Sequence, residues 1–322
     1  MSDVFESYSD LDDLVVQLRS EDPGERRVAI MELADLGDDG AIPLLMEALS
    51  DSVAGVREQA ARALGEYDGP EAAEALARAL VDPDTGVAAA AADSAAELKQ
   101  PDSADPLLPL VAHSSAFVRM SALRALKELR RSDAFKPALD AIRDPDTGVR
   151  VQAVSVIGFL KVEEAVPALR AAASDLDAHV RRAAISALSF SATGPAAETI
   201  RSGLLDSDWM VREMAAETIG KMAAGATAGQ QLVAALSDEF WQVRLKATRS
   251  LGRLRIAAAV TQIAEGLQHT QANLRKEAAA ALGEIGDPSA LPYLQAVADD
   301  SDPDVRKNAR WAIGQIEKFP TS

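Results

Sequence analysis

The chain has 322 residues and a formal net charge of −17; 48% of it is hydrophobic but only 4% aromatic, and cysteine is absent. The missing thiols exclude disulfides and cysteine-held zinc, while the acidic balance argues against general attachment to a phosphate backbone. The first residues carry no basic segment followed by an apolar one, and no apolar run reaches the ~18 residues of a membrane span, so a cytoplasmic location without membrane insertion is expected.

Residues 1–8 are acidic and aperiodic and read as a flexible lead. Ser9 with Asp12 resembles a capping box, and Leu11, Leu14, Val15 and Leu18 then follow at helical spacing. Asp22-Pro23-Gly24 breaks that helix, and a second runs from about Glu25 to Leu36. Residues 1–40 hold twelve acidic residues against three arginines, more than half of the net charge. A terminal unit facing water explains that density as a solubilising cap.

From Ala41 the plan becomes explicit. A first helix carries Ile42, Leu44, Leu45 and Leu49; Asp51 begins a break; a second helix points Val56, Ala60, Leu64 and Tyr67 inward. This pair recurs. Its Val-Arg anchor, Val56-Arg57, returns at Val87-Ala88, Val118-Arg119, Val149-Arg150, Val180-Arg181, Val211-Arg212, Val243-Arg244, Leu274-Arg275 and Val305-Arg306, in steps of 31 residues except one of 32 between Val211 and Val243. With a degenerate first copy at Glu25-Arg26 the chain holds ten units. One helix pair cannot bury its apolar stripe alone, so units of this period stack. Pro106, Pro137, Pro167 and Pro292 are expected to begin first helices, and Gly158, Gly220, Gly252, Gly283 and Gly314 match Gly65, where neighbours approach closely or the helix ends. The third unit, alanine-rich from Ala88 to Ala96, should have a thin core. Residues 9–319 therefore form one all-α array, followed by a short tail at 320–322.

Asp stands five residues before the anchor at 51, 82, 144, 175, 206, 238 and 300, and Arg directly after it in nine of ten units. A residue required in every unit serves the unit, so both ladders are structural. Asp22, Asp84, Asp146, Asp177, Asp208 and Asp302, three before the anchor, suit the cap of the second helix. The pattern Asp144-Pro145-Asp146-Thr147-Gly148-Val149-Arg150 resembles the short HEAT-like repeat of phycobilisome bilin lyases, across roughly residues 10–318. That resemblance implies a right-handed α-solenoid of the armadillo-like kind, with second helices on the concave face. It also implies a choice of roles, from scaffold or adaptor to chromophore attachment.

Chemistry is sparse. The three histidines, His113, His179 and His269, are followed by Ser114, Val180 and Thr270, which does not match the His-Glu pairs of a HEAT-like di-iron hydroxylase. His113 and His269 occupy the ladder Asp slot and are expected to bond within the turn rather than to hold a metal. No phosphate loop or nucleophile motif is present.

What departs from the repeat marks the candidate surface. Two before the anchor, where Ala or Thr is usual, stand Trp209 and Trp241, flanked by Met210 and Phe240. They either fill a gap made by the 32-residue step or form a partner-binding edge, and the second reading is preferred. Lys246, Arg249 and Arg253 make a basic stripe, joined by Lys221 and Lys276 from neighbouring units. Met120, Val151, Met214, Leu245, Phe159 and Phe190 are expected mostly in the core. The expected function is a protein-binding scaffold or adaptor without catalysis, metal or cofactor, acting through its concave face and turn edge on a partner that carries an acidic segment. The alternative is a maturation factor holding a linear tetrapyrrole-like ligand.

Overall fold

The computed structural model describes residues 11–191, 193–222 and 229–318; the 1–8 lead, Ser9 of the capping box and the 320–322 tail lie outside them. Among the described residues every regular element is helical. The chain divides into two compact units, Met1–Leu160 and Lys161–Ser322.

The first unit contains α1 (residues 11–17), α2 (Pro23–Leu36), α3 (Ala41–Ala48), α4 (Ala54–Ala63), α5 (Pro70–Ala79), α6 (Thr85–Ala95), α7 (Ala116–Leu129), α8 (Phe135–Ala141) and α9 (Thr147–Leu160). The second contains α10 (Val166–Ala172), α11 (Ala178–Ala187), α12 (Gly194–Ser202), α13 (Trp209–Ile219), α14 (Gly229–Ala235), α15 (Trp241–Arg253), α16 (Val260–Glu265), α17 (Ala272–Ile285), α18 (Leu291–Ala296) and α19 (Pro303–Lys318). Second helices pack on second helices: α2, α4 and α6 in series and α7 on α9 in the first unit, and α11, α13, α15, α17 and α19 in series in the second. From α4 to α17 these repeats bury the anchor and the residues four and eight beyond, as with Val56, Ala60 and Leu64, or Val180, Ala184 and Leu188; in α2 the anchor Glu25 is exposed, and in α19 Ile313 is half-buried. That spacing keeps one stripe inward, and each buried Val or Leu contributes about 1.5–3 kcal/mol. Tyr67 closes its repeat by donating its hydroxyl to Leu33 O at 2.8 Å.

Two helix boundaries differ from expectation. Helix α2 starts at Pro23, not Glu25, because Asp22 caps it through Gly24 N and a proline at the first position loses no bond that the helix needs. In the fourth repeat Pro106 starts no α-helix. Residues Pro101–Ala104 and Leu108–Ala112 are short 3-10 turns instead. Pro106 and Pro109 both lack the N–H that an α-helical ladder would use there. The stack stays closed because α7 packs against both turns.

The glycines mark close approach. A Cβ on Gly65 would lie 2.7 Å from Ser94 Oγ, one on Gly252 2.8 Å from Ala281 Cα, and one on Gly283 2.8 Å from Ala312 Cα. At Gly314, in the last repeat, nothing lies within 4 Å. The six half-expected core residues are shallower than the pattern suggests: Met120, Val151, Met214, Leu245 and Phe190 are half-buried and Phe159 is exposed, with the Arg130 guanidinium 4.9 Å above its ring. They sit beside the inward stripe rather than on it.

Repeat-to-repeat cohesion is polar as well as apolar. Where the next repeat has the ladder Asp, the ladder Arg forks onto it, as in Arg57 to Asp82 (2.8 and 2.9 Å), Arg119 to Asp144 (2.7 and 2.7 Å), Arg181 to Asp206 (2.8 and 2.8 Å) and Arg275 to Asp300 (2.9 and 2.8 Å). The same Arg donates through Nη1 to the carbonyl of its own turn, Asp51 O for Arg57. The Asp in turn accepts the N–H two residues on, Asp84 N for Asp82. Asp22, Asp84, Asp177, Asp208 and Asp302 each accept a backbone N–H of the helix they precede. One carboxylate thus shapes a turn and ties it to its neighbour.

Candidate functional site

The ladder fixes where the unusual residues of the second unit stand. Arg181–Asp206 and Arg212–Asp238 join the turns of successive repeats directly, so the turns between first and second helices line one edge. Trp209 and Trp241 are the first residues of α13 and α15 on that edge. The Trp209 and Phe240 rings stack with centroids 5.4 Å apart and planes 15° from parallel, and the Arg212 guanidinium lies 5.8 Å from the Phe240 centroid. Trp209, Met210, Phe240 and Trp241 are all half-buried. The 32-residue step is absorbed at the ladder, where Arg212 reaches Asp238 at 2.6 and 3.0 Å across one extra residue.

Two further apolar residues stand on this edge. Leu176 is 101% exposed and Leu205 86%. Leu176 sits between Asp175 and Asp177 where other repeats have Pro, Ser, Thr or Glu, and Leu205 directly precedes Asp206. For Leu176 the sequence carries a signal, an aliphatic residue within an Asp-x-Asp turn.

The basic stripe is in place, but its charges are engaged. Lys246 Nζ lies 2.6 Å and Lys221 Nζ 2.7 Å from Glu217; Arg249 forks onto Glu277 at 2.8 and 2.6 Å; Lys276 reaches Asp304 at 3.2 Å. Hydrogen bonds from Lys221 and then Lys246 hold the Glu217 carboxyl down at about 2. Arg253 extends, exposed, from the last turn of α15. The cationic surface anticipated from one helix is therefore a neutralised lattice, because adjoining helices supply acids into it.

His113 and His269 replace the ladder Asp and reproduce half of its bonding. Each Nδ1 accepts the N–H two residues on, from Ser115 at 3.2 Å and from Gln271 at 3.0 Å. Opposite His113 the ladder Arg is Ala88. Opposite His269 it is retained, and Arg244 Nη2 stands 2.6 Å from His269 Nε2. Burial and the charges of Arg244 and Arg275 push the His269 imidazole below the usual histidine range. His179 pairs with Asp177 at 3.2 Å within its own turn. Among the described residues no group of three side chains is placed to hold a metal ion, and no helix is long and apolar enough to cross a membrane.

Comparison with known proteins agrees with this architecture. The Escherichia coli protein YibA is similar over 84% of this chain and 98% of its own, at 20% identity and a TM-score of 0.61. Importin beta is similar over 94% of this chain and 50% of its own, at 15% identity and a TM-score of 0.64. Kap95p, in a structure describing its binding to RanGDP, covers 97% of this chain with 50% of its own, at 12% identity and a TM-score of 0.65. No curated protein matches by sequence. At these identities the likenesses show the fold alone, an all-α solenoid of about ten repeats. The model of the family described as HEAT repeats matches residues 11–93, 78–146, 135–220 and 229–314. With helix pairs stacked at a 31-residue period and matches over most of its length, the chain belongs to the HEAT-repeat family.

Proposed function

We propose that the protein is a binding scaffold that holds a protein partner on the turn edge of its sixth to eighth repeats. The observation that supports this most strongly is the run of apolar side chains on that edge: Leu176 and Leu205 almost fully in water, followed by the stacked Trp209 and Phe240 and by Trp241. The apolar residues of other turns, Val53, Val81 and Phe117, are each less than half exposed, and exposed apolar surface rimmed by charge is characteristic of protein contact sites. The stripe of Lys221, Lys246, Arg249 and Lys276 is less suited to be the contact, since its charges already have carboxylate partners. The Kap95p structure describes a solenoid engaging RanGDP, a protein.

The decisive variant is Leu176→Glu with Leu205→Glu, because both residues stand almost wholly in water and their replacement should leave folding intact. Affinity capture from the source cell should lose a specific polypeptide with this variant and keep it with Lys221→Glu, while circular dichroism stays unchanged. An identical set of captured proteins for wild type and the leucine variant would refute the edge as the contact.

A further inference from the structure

The ladder junction between α15 and α17 is incomplete in a way the others are not. In a regular junction the Asp carboxylate accepts from Arg Nε, from Arg Nη2 and from a backbone N–H, as Asp300 does with Arg275 and Asp302 N. Two oxygens supply lone pairs for all three. A neutral imidazole has one accepting nitrogen. His269 uses its Nδ1 for Gln271 N–H, so its Nε2 carries the hydrogen and meets Arg244 Nη2, another donor, at 2.6 Å. Arg244 Nε is buried with no acceptor, and only Nη1 is regularly placed, on Asp238 O at 2.9 Å. The His113 junction avoids this conflict because Ala88 offers no donor. The Arg244 junction therefore has three polar hydrogens and no anion.

We infer that the Arg244–His269 junction is a carboxylate-binding slot, filled by an Asp or Glu side chain of the partner. The slot keeps the arginine fork that every intact junction uses for a planar carboxylate. For the ligand to enter, Arg244 swings away from the imidazole; one oxygen then accepts from Nε and Nη2, and the other from His269 Nε2–H. Arg275 adds positive field, its own fork being satisfied by Asp300. Trp241 lies three residues before Arg244 on α15 and so shares its helix face, half-buried on the same edge. An acidic residue next to a large apolar one is the segment this pair would accept. The source of the carboxylate rests on the docking reading above; the slot itself does not.

The test is histidine ring NMR on the full chain, with acetate as probe against chloride at equal ionic strength. The chain has three histidines, which substitution to Gln assigns one by one. Acetate should move the His269 resonances saturably and raise its titration midpoint by about 1 pH unit, as a bound carboxylate favours imidazolium. His113 and His179 should follow ionic strength alone. His269→Asp should raise the thermal midpoint, because the carboxylate is then supplied within the chain, and should abolish acetate dependence. A His269 response no different from that of His113, a response to phosphate but not acetate, or a lowered midpoint in His269→Asp would each overturn the slot. With a captured partner in hand, His269→Asp should weaken its binding about tenfold. Saturable acetate binding with partner affinity unchanged would overturn the partner as the source, whereas capture of no partner counts against the docking reading and leaves the acetate result to decide the slot.

Discussion

Replacing Arg57 with alanine removes one rung of the ladder while leaving the apolar stack untouched. The guanidinium makes three bonds, to Asp82 Oδ2 at 2.8 Å, Asp82 Oδ1 at 2.9 Å and Asp51 O at 2.9 Å. The side chains of Arg57 and Asp82 are only 15% and 10% exposed, so truncation strands a largely covered carboxylate with one remaining donor, Asp84 N at 2.8 Å. Breaking a fully buried pair costs about 3–5 kcal/mol, and hydrogen bonds to charged groups about 1.5–3. Water reaches the edge of this pair, so a loss of about 2 kcal/mol is expected for Arg57→Ala. The chain supplies its own control at Ala88 and His113, where arginine and aspartate are both absent. Arg57→Ala with Asp82→His copies that junction: the imidazole accepts the N–H of residue 84 and carries no stranded charge. It should recover about 1 kcal/mol of the loss. Because a repeat array need not unfold in one step, urea denaturation by circular dichroism should be paired with hydrogen exchange at α4 and α6. A single-variant loss under about 0.5 kcal/mol, or a double variant less stable than Arg57→Ala alone, would refute the reasoning.

Four further outcomes follow from particular positions. Gly252→Ala should destabilise by about 1–3 kcal/mol, because its Cβ would meet Ala281 Cα at 2.8 Å. Gly314→Ala, with nothing within 4 Å, should stabilise by about 0.5–1 kcal/mol, and thermal melts separate the two signs. Asp82 and Asp300 are held below the usual carboxylate range, first by their Arg57 and Arg275 hydrogen bonds. The stability they contribute is whole above the unfolded pKa of about 3.9 and is lost as pH falls through the lower folded values. Acid titration by circular dichroism should therefore show helix retained at pH 5 (about one unit above that pKa) and loss beginning only below about pH 4; loss in the histidine range would contradict it. Glu217→Gln leaves Lys221 and the 20%-exposed Lys246 without their shared anion. A cost of about 1 kcal/mol in denaturant midpoint is expected, and an unchanged midpoint would mean that solvent already screens the pair.

The sequence made the repeated features legible because repetition itself identifies them: the Val-Ala-Leu stripe, the Asp and Arg ladders, the capping aspartates and the glycines at close approach. Pro106 misled because a proline suits the start of a helix only if the residues after it can continue one, and Pro109 prevents that. Leu176 and Leu205 do not stand out by side-chain size, because their exposure depends on turn position. The neutralisation of the basic stripe was missed for a geometric reason. Periodicity compares equivalent positions, 31 residues apart, but side chains on stacked helices meet at offset ones. Arg249, six after its anchor, meets Glu277, three after the next, a separation of 28; Glu217 and Lys246 stand in the same relation, at 29 across the longer step. The ladder is offset too, Arg57 to Asp82 being 25 apart. A stacked array is thus read correctly only when its sequence is compared with itself at the period less the helix offset. At that spacing Lys246, Arg249 and Lys276 are seen with their acids, and Arg244 is seen with a histidine where its carboxylate should be.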